Sequence, residues 1–166
     1  MLTVTRPHSE ARTMDLIGPE SALVRELTAA YWHELQSVTD HLAAATNRDG
    51  VRAERIAGSI HEVMSADLKH AQQVAIRIGQ LRGAPPSPDE FAAQKLHLRA
   101  PADPHDHGSA LRSLIEAETT ALERYRRITA LAAEAYDWVS QRLADQIVRE
   151  KTSNRDSLES LLAAEP

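Results

Sequence analysis

The chain has 166 residues, a formal net charge of −5 and no cysteine. Without cysteine there are no disulfides, thiolate nucleophiles, cysteine zinc fingers or cysteine-held iron–sulfur clusters, and the acidic balance argues against a nucleic-acid partner, which needs clustered Lys and Arg. Aromatics are only 4% while Ala, Leu, Glu, Arg and Gln abound, a composition that favours helix over sheet because these side chains lose little rotamer freedom there.

Residues 1–12 are polar and lack the apolar core of a signal peptide. No apolar run approaches the roughly 20 residues that span a bilayer. A soluble, cytoplasmic protein is expected. Gly18-Pro19 closes an irregular N-terminal arm over 1–19, and the remainder, 20–164, reads as one all-α domain. A first helix is expected over 20–46, ended by the turn Asn47-Arg48-Asp49-Gly50. A second covers 51–82 and stops at Gly83-Ala84-Pro85-Pro86-Ser87-Pro88. A His-, Pro- and Asp-rich loop follows to Gly108. The stretch from Ser109 to Ala164 is too long for one helix of a compact domain, so it divides near Glu134–Asp137, with Asp137 as an N-cap, into helices over 109–134 and 138–163. Helices this long pack side by side as a bundle. The two short links make antiparallel hairpins. The link of about 25 residues between the second and third helices can return along the bundle, and these two helices are expected to be antiparallel as well.

Each helix carries an apolar stripe at helical spacing. The first runs Leu23, Leu27, Ala30, Leu35/Val38, Leu42, and the second Ile56, Ile60, Val63, Ala71, Val74, Ile78, Leu81. The third runs Leu111, Leu114, Ile115, Leu122, Ile128, and the fourth Val139, Leu143, Ile147, Leu158, Leu161. Polar residues interrupt them at similar heights. Asp67 and His70 sit between Val63 and Val74, Glu118 between Ile115 and Leu122, and Asn154 between Ile147 and Leu158, with Lys151 at the stripe edge. On the first helix Glu26 flanks the stripe and Glu34 falls nearer its centre. A lone His in a stripe is usually a satisfied core residue, and a lone Glu usually reaches water. Four helices interrupted at one level are different. Buried carboxylates need a cation, strong hydrogen bonds or a proton, and carboxylates with a His at i, i+3 are how bundle cores hold transition metals. His105-Asp106-His107 reads as an exposed loop, with a surface metal site as its alternative; His61 and Glu62 read as face residues.

Four stretches resemble bacterioferritin, the bacterial branch of the ferritin-like superfamily. They are Glu26-Leu27-Thr28-Ala29 on the first helix and Asp67-Leu68-Lys69-His70-Ala71, then Arg77-Ile78 and Gly83-Ala84-Pro85, on the second. The third has Leu111-Arg112-Ser113 and then Glu118, and the fourth Val139-Ser140, Ile147-Val148-Arg149-Glu150, Asp156 and Leu158-Glu159. The resemblance covers about 20–162 and implies a ferritin-like antiparallel four-helix bundle with a long crossover. It also implies a di-iron centre built from a Glu, a Glu-x-x-His, a Glu and a second Glu-x-x-His. Glu26, Asp67, His70 and Glu118 match the first three parts, with Asp67 a shorter carboxylate. Lys151 and Asn154 stand where the last pair belongs. A charged Lys has no lone pair and cannot be a ligand. Leu68 replaces the Met that binds haem in many bacterioferritins, so no haem is expected. His33 stands where the family often has a Tyr beside the metals, and His33 and Glu34 are expected to flank the site.

Three negative charges from Glu26, Asp67 and Glu118 balance one divalent metal and one Lys ammonium, so Lys151 is expected to take the space of the second metal and pair with Glu118. The leading expectation is an iron-binding ferritin-like protein with a partly lost centre and at most one metal. It would serve in storage or oxidation in an oligomer, alone or beside an intact ferritin-like subunit. The rival is a metal-free structural or interaction protein in which Lys151 replaces metal. A third reading, an intact oxidising centre, needs Glu150 or Glu34 to fill the vacancy.

Overall fold

A computed structural model describes residues 19–46, 51–84 and 107–164. The N-terminal arm, the turn at 47–50, most of the proline-rich loop and His105-Asp106 lie outside the described residues. The described residues form four helices: α1 (Pro19–Thr46), α2 (Val51–Gln80), α3 (His107–Glu134) and α4 (Trp138–Ala163).

Local chemistry sets the ends. Pro19 opens α1, where its fixed φ and missing N–H cost nothing. At the end of α2 the chain turns left-handed at Arg82 (φ 57°), and Gly83 N–H donates to the Ile78 carbonyl at 2.9 Å, closing the last turn. Only glycine fits at 83, because a Cβ there would lie 2.8 Å from the Ile78 side chain. At the α3–α4 corner Tyr136 takes the left-handed position (φ 54°), and Asp137 N–H donates to the Ala132 carbonyl at 2.8 Å. Asp137 then caps α4 by accepting from the backbone N–H groups of Val139 and Ser140. Its carboxylate also takes both bonds of a forked ion pair from Arg77 on α2, at 2.8 and 2.7 Å. Burial works against the Asp137 charge, but Arg77 and Ser140 hold the carboxyl below its ordinary range.

That ion pair also fixes chain direction. It joins the end of α2 to the start of α4, and Asp67 of α2 meets Lys151 of α4 farther along. Helix α2 is therefore antiparallel to α4. Glu26, near the start of α1, pairs with Arg124 and Arg127 near the end of α3, so α1 and α3 are antiparallel too. It follows that α2 and α3, on opposite corners, run parallel. The expectation that they are antiparallel is corrected: a connection returning along the bundle starts the next helix from the same end.

The core is two apolar layers with a polar layer between them. Leu23, Leu27, Val74, Ile78, Tyr125, Ile128 and Ile147 pack one end, and Ile56, Ile60, Leu111, Leu114 and Leu158 the other. Burying each such large side chain contributes about 2 kcal/mol. On α1 the inward face steps through Leu23, Leu27, Ala30, Glu34, Ser37 and His41, all buried. Leu35 and Val38 are half-buried and Leu42 is 48% exposed, so the stripe expected over the second half of α1 turns outward there. Val139, expected in the α4 stripe, is also exposed.

Because one carboxylate serves as cap and ion-pair partner, Asp137→Ala should lower the unfolding free energy by about 2 kcal/mol. Asp137→Asn, which keeps a capping oxygen, should lose about 1 kcal/mol. Urea titration followed by far-UV circular dichroism checks both, and equal losses would show that the ion pair, not the cap, carries the effect.

Candidate metal centre

Between the apolar layers, seven polar side chains meet with their residues fully or almost fully buried: Glu34, Ser37 and His41 from α1, Asp67 and His70 from α2, Glu118 from α3 and Lys151 from α4. Spacings of three and four bring each helix's members onto one face. The Lys151 ammonium is the hub. Its Nζ lies 2.5 Å from Asp67 Oδ1, 2.9 Å from Glu118 Oε1 and 2.9 Å from Glu34 Oε2. Burial opposes its charge, but the three carboxylates outweigh that and hold the ammonium far above its ordinary range.

The other Asp67 oxygen accepts from Ser37 Oγ at 2.6 Å and lies 3.2 Å from His41 Nδ1. Burial would raise the Asp67 carboxyl, yet His41 and Lys151 keep it well below the carboxylate range. Glu118 goes the other way: burial, with Asp67 and Glu34 nearby, outweighs Lys151 and raises it to about 7. His70 Nε2 bonds Glu150 Oε2 at 2.9 Å, while its Nδ1 lies 3.8 Å from Glu34 Oε2, beyond hydrogen-bond reach. Burial disfavours a charged His70, but Glu34 and Glu150 on either side shift it upward overall. Glu34 Oε1, Glu118 Oε2, His70 Nδ1 and His41 Nε2 are buried without a hydrogen-bond partner among the described residues, whereas Glu34 Oε2 has the Lys151 ammonium. Such unsatisfied atoms cost about 1–3 kcal/mol each unless something fills the space between them.

Asp67, His70, Glu118 and Lys151 thus come together as the sequence suggests. Glu26 does not. It lies eight residues before Glu34, outside the cluster, paired with Arg124 and Arg127. The α1 acid of the cluster is Glu34, which lies on the inward line through Leu27 and Ala30. Asn154 is half-buried one turn past Lys151, and its Nδ2 has no hydrogen-bond partner among the described residues. His33 is beside the cluster rather than in it, lining a cleft of about 460 Å³ with Arg25, Trp32 and Arg124; burial lowers its pKa despite Glu34 next to it. Glu150 reaches His70 from the rim, not the centre. Ser37 and His41 are members that sequence reasoning missed. The available signal was to step on from Ala30 by four, three and four.

A family model for the ferritin-like domain matches residues 24–165. The chain belongs to the ferritin-like family. No curated protein matches the sequence. Among solved structures, this ferritin-like chain is similar to a dodecameric, bacterioferritin-related thioferritin of Bacteroides fragilis, at 23% identity and TM-score 0.78 over 87% of this chain and 86% of that one. It is similar to a ferritin-like diiron-carboxylate protein of Bacillus anthracis, at 18% identity and TM-score 0.76 over 89% and 99%. It is also similar to the bacterioferritin of Rhodobacter capsulatus, at 25% identity and TM-score 0.73 over 86% and 84%.

The residues present can be tested against the family's metals. Two divalent ions do not fit: α4 places an ammonium, not a ligand, against all three acids, and two ions beside Lys151 would leave the cluster two charges positive. One ion fits. Glu34, Asp67 and His70 offer one ligand atom each within 4.8 Å of one another, and the unpartnered Glu34 Oε1 and His70 Nδ1 are donors of the right chemistry. With Lys151, one divalent ion brings the three acids to neutrality.

The raised Glu118 gives a pH signature in metal-free protein. Its folded pKa of about 7 exceeds the ordinary 4.5, so its stabilising share is complete below about 4.5 and is lost as pH rises through about 7. His70, shifted upward, acts with the same sign above its ordinary value. Chelator-treated protein should therefore unfold at lower urea at pH 7.5 than at pH 5. Glu118→Gln should shrink that difference without removing the His70 share. An unchanged difference would show that Glu118 does not titrate there.

Proposed function

We propose that this ferritin-like chain is a subunit that holds at most one divalent metal ion, iron in the first instance, through Glu34, Asp67 and His70, with Glu118 as the third acid that balances charge. On this reading it lacks the oxidation chemistry that needs two ions side by side. The observation that carries the reading is the Lys151 ammonium against all three buried acids. Glu34 takes the place first expected of Glu26. An ion bound here would supply Lewis acidity, or redox chemistry if iron. The chain's own residues have other parts: Glu34 and His70 bind, Ser37 and His41 orient Asp67, and Lys151 balances charge. Assembly into a closed oligomer, alone or with an intact ferritin-like subunit, follows by analogy with the relative described as dodecameric, and with it a role in iron holding in the cytoplasm. No helix among the described residues is long and apolar enough to cross a membrane.

A second reading has an observation of its own. Both Asp67 oxygens are already satisfied, one by Lys151 and one by Ser37, as expected if the ammonium replaces metal altogether and the protein is a structural or interaction subunit. Anaerobic equilibrium dialysis against ferrous iron separates the readings. One equivalent per chain, abolished by His70→Ala and by Glu34→Gln but untouched by Glu26→Gln, is the expected result. No bound iron favours the metal-free reading, and two equivalents in the parent overturn both.

A further inference from the structure

His41 has no place in the ligand pattern that the family resemblance implies, yet it is built like a ligand. Its side chain is fully buried. Its Nδ1 lies 2.6 Å from the Ser37 carbonyl oxygen, which can only accept, so Nδ1 carries the hydrogen. The neutral ring then presents Nε2 as a lone pair, and Nε2 is buried with no hydrogen-bond partner among the described residues. An imidazole fixed through one nitrogen by a backbone carbonyl, with the other left open, is the form in which histidine binds metals. A ring nitrogen of His41, an oxygen of Asp67 and an oxygen of Glu118 also lie within 4.8 Å of one another, and Glu118 Oε2 is buried and unpartnered as well.

We propose that His41 is the relocated nitrogen ligand of a second metal position, formed by His41, Asp67 and Glu118 and kept closed by the Lys151 ammonium. The imidazole that the resemblance puts at position 154 is supplied from α1. The chain thus holds two three-donor groups that share Asp67, and charge alone lets no more than one fill while Lys151 is present. This rests on the reading that the cluster binds metal. It adds that the second position lacks no donor type and is shut only by a cation. A divalent ion that accepts mixed nitrogen and oxygen ligands, such as ferrous iron, cobalt or zinc, is the class that suits it.

The test is cobalt(II) stoichiometry by dialysis, with the visible absorption of the bound ion as a second readout. Lys151→Glu removes the ammonium and adds a fourth acid, so two divalent ions then balance the site. It should bind two equivalents with Asn154 left unchanged. Adding His41→Leu should return the count to one, and adding Asn154→His to that pair should restore two. A Lys151→Glu protein that binds only one, or that still binds two with His41→Leu, overturns the assignment. Should Lys151→Glu fail to show the parent's helical circular dichroism, Lys151→Asp, which gives the same charge balance, carries the same comparison with and without His41→Leu. The parent count is read separately. If the parent binds none, the single-ion reading falls, while a His41-dependent step between the Lys151 variants would still uphold the second position.

Discussion

One charged side chain from each helix meets at the buried centre of this bundle: Glu34, Asp67, Glu118 and the ammonium of Lys151. Three buried carboxylates without a counter-charge would repel one another in a medium of low dielectric, and desolvating each costs several kcal/mol. The ammonium contacts one oxygen of each and so ties all four helices at a single atom. Removing one partner of such a buried set costs about 3–5 kcal/mol, because the remaining charges are left without compensation. An apolar set of similar volume could be as stable, so stability alone does not account for keeping this one. Donor atoms left without partners around it, on Glu34, His70, Glu118 and His41, suit a site for an ion better than a mere brace.

The apolar layers decide where this polar level can sit. On α1, α2 and α4 the inward positions are apolar at one or both ends and polar in the middle, and the antiparallel pairing of neighbours brings the middles together. Direction is set at the rim by Arg77 and Asp137, and by Glu26 with Arg124 and Arg127. Glu26 is thus an acid with a structural task, outside the site, holding the start of α1 to the end of α3.

The number of helices, their approximate ends and the Asp137 cap were legible in the sequence because breakers and caps act locally. Asp67, His70, Glu118 and Lys151 were legible because each interrupts an apolar run on both sides. The second half of α1 was not. Leu35, Val38 and Leu42 look like a continuing stripe by hydrophobicity, whereas the inward line runs through Glu34, Ser37 and His41. Once a polar layer is built, the residues facing it are polar, and a search for apolar periodicity follows the wrong face. Glu26 stands out as the α1 acid on another ground, its likeness to the family motif, although Glu34 falls nearer the centre of the stripe. The relative direction of α2 and α3 was misjudged for another reason: it depends on which end the connection reaches, which no local signal states.

Position 150 shows how little sequence change separates a ligand from a rim residue. Successive residues on a helix point about 100° apart. With Lys151 aimed at the centre, Glu150 is turned toward the edge, where its side chain is 31% exposed and accepts from Gln146 and pairs with Lys69. From there it bonds His70 Nε2, and burial notwithstanding, Gln146 and His70 hold its carboxyl down at about 2. A carboxylate on the outer nitrogen of a histidine fixes the ring and leaves the inner nitrogen as the donor, and here the inner nitrogen is the one near Glu34. The acid on α4 therefore acts from the rim: it stands one residue before the inward position that Lys151 fills, and it holds the outer nitrogen of His70 rather than reaching the centre.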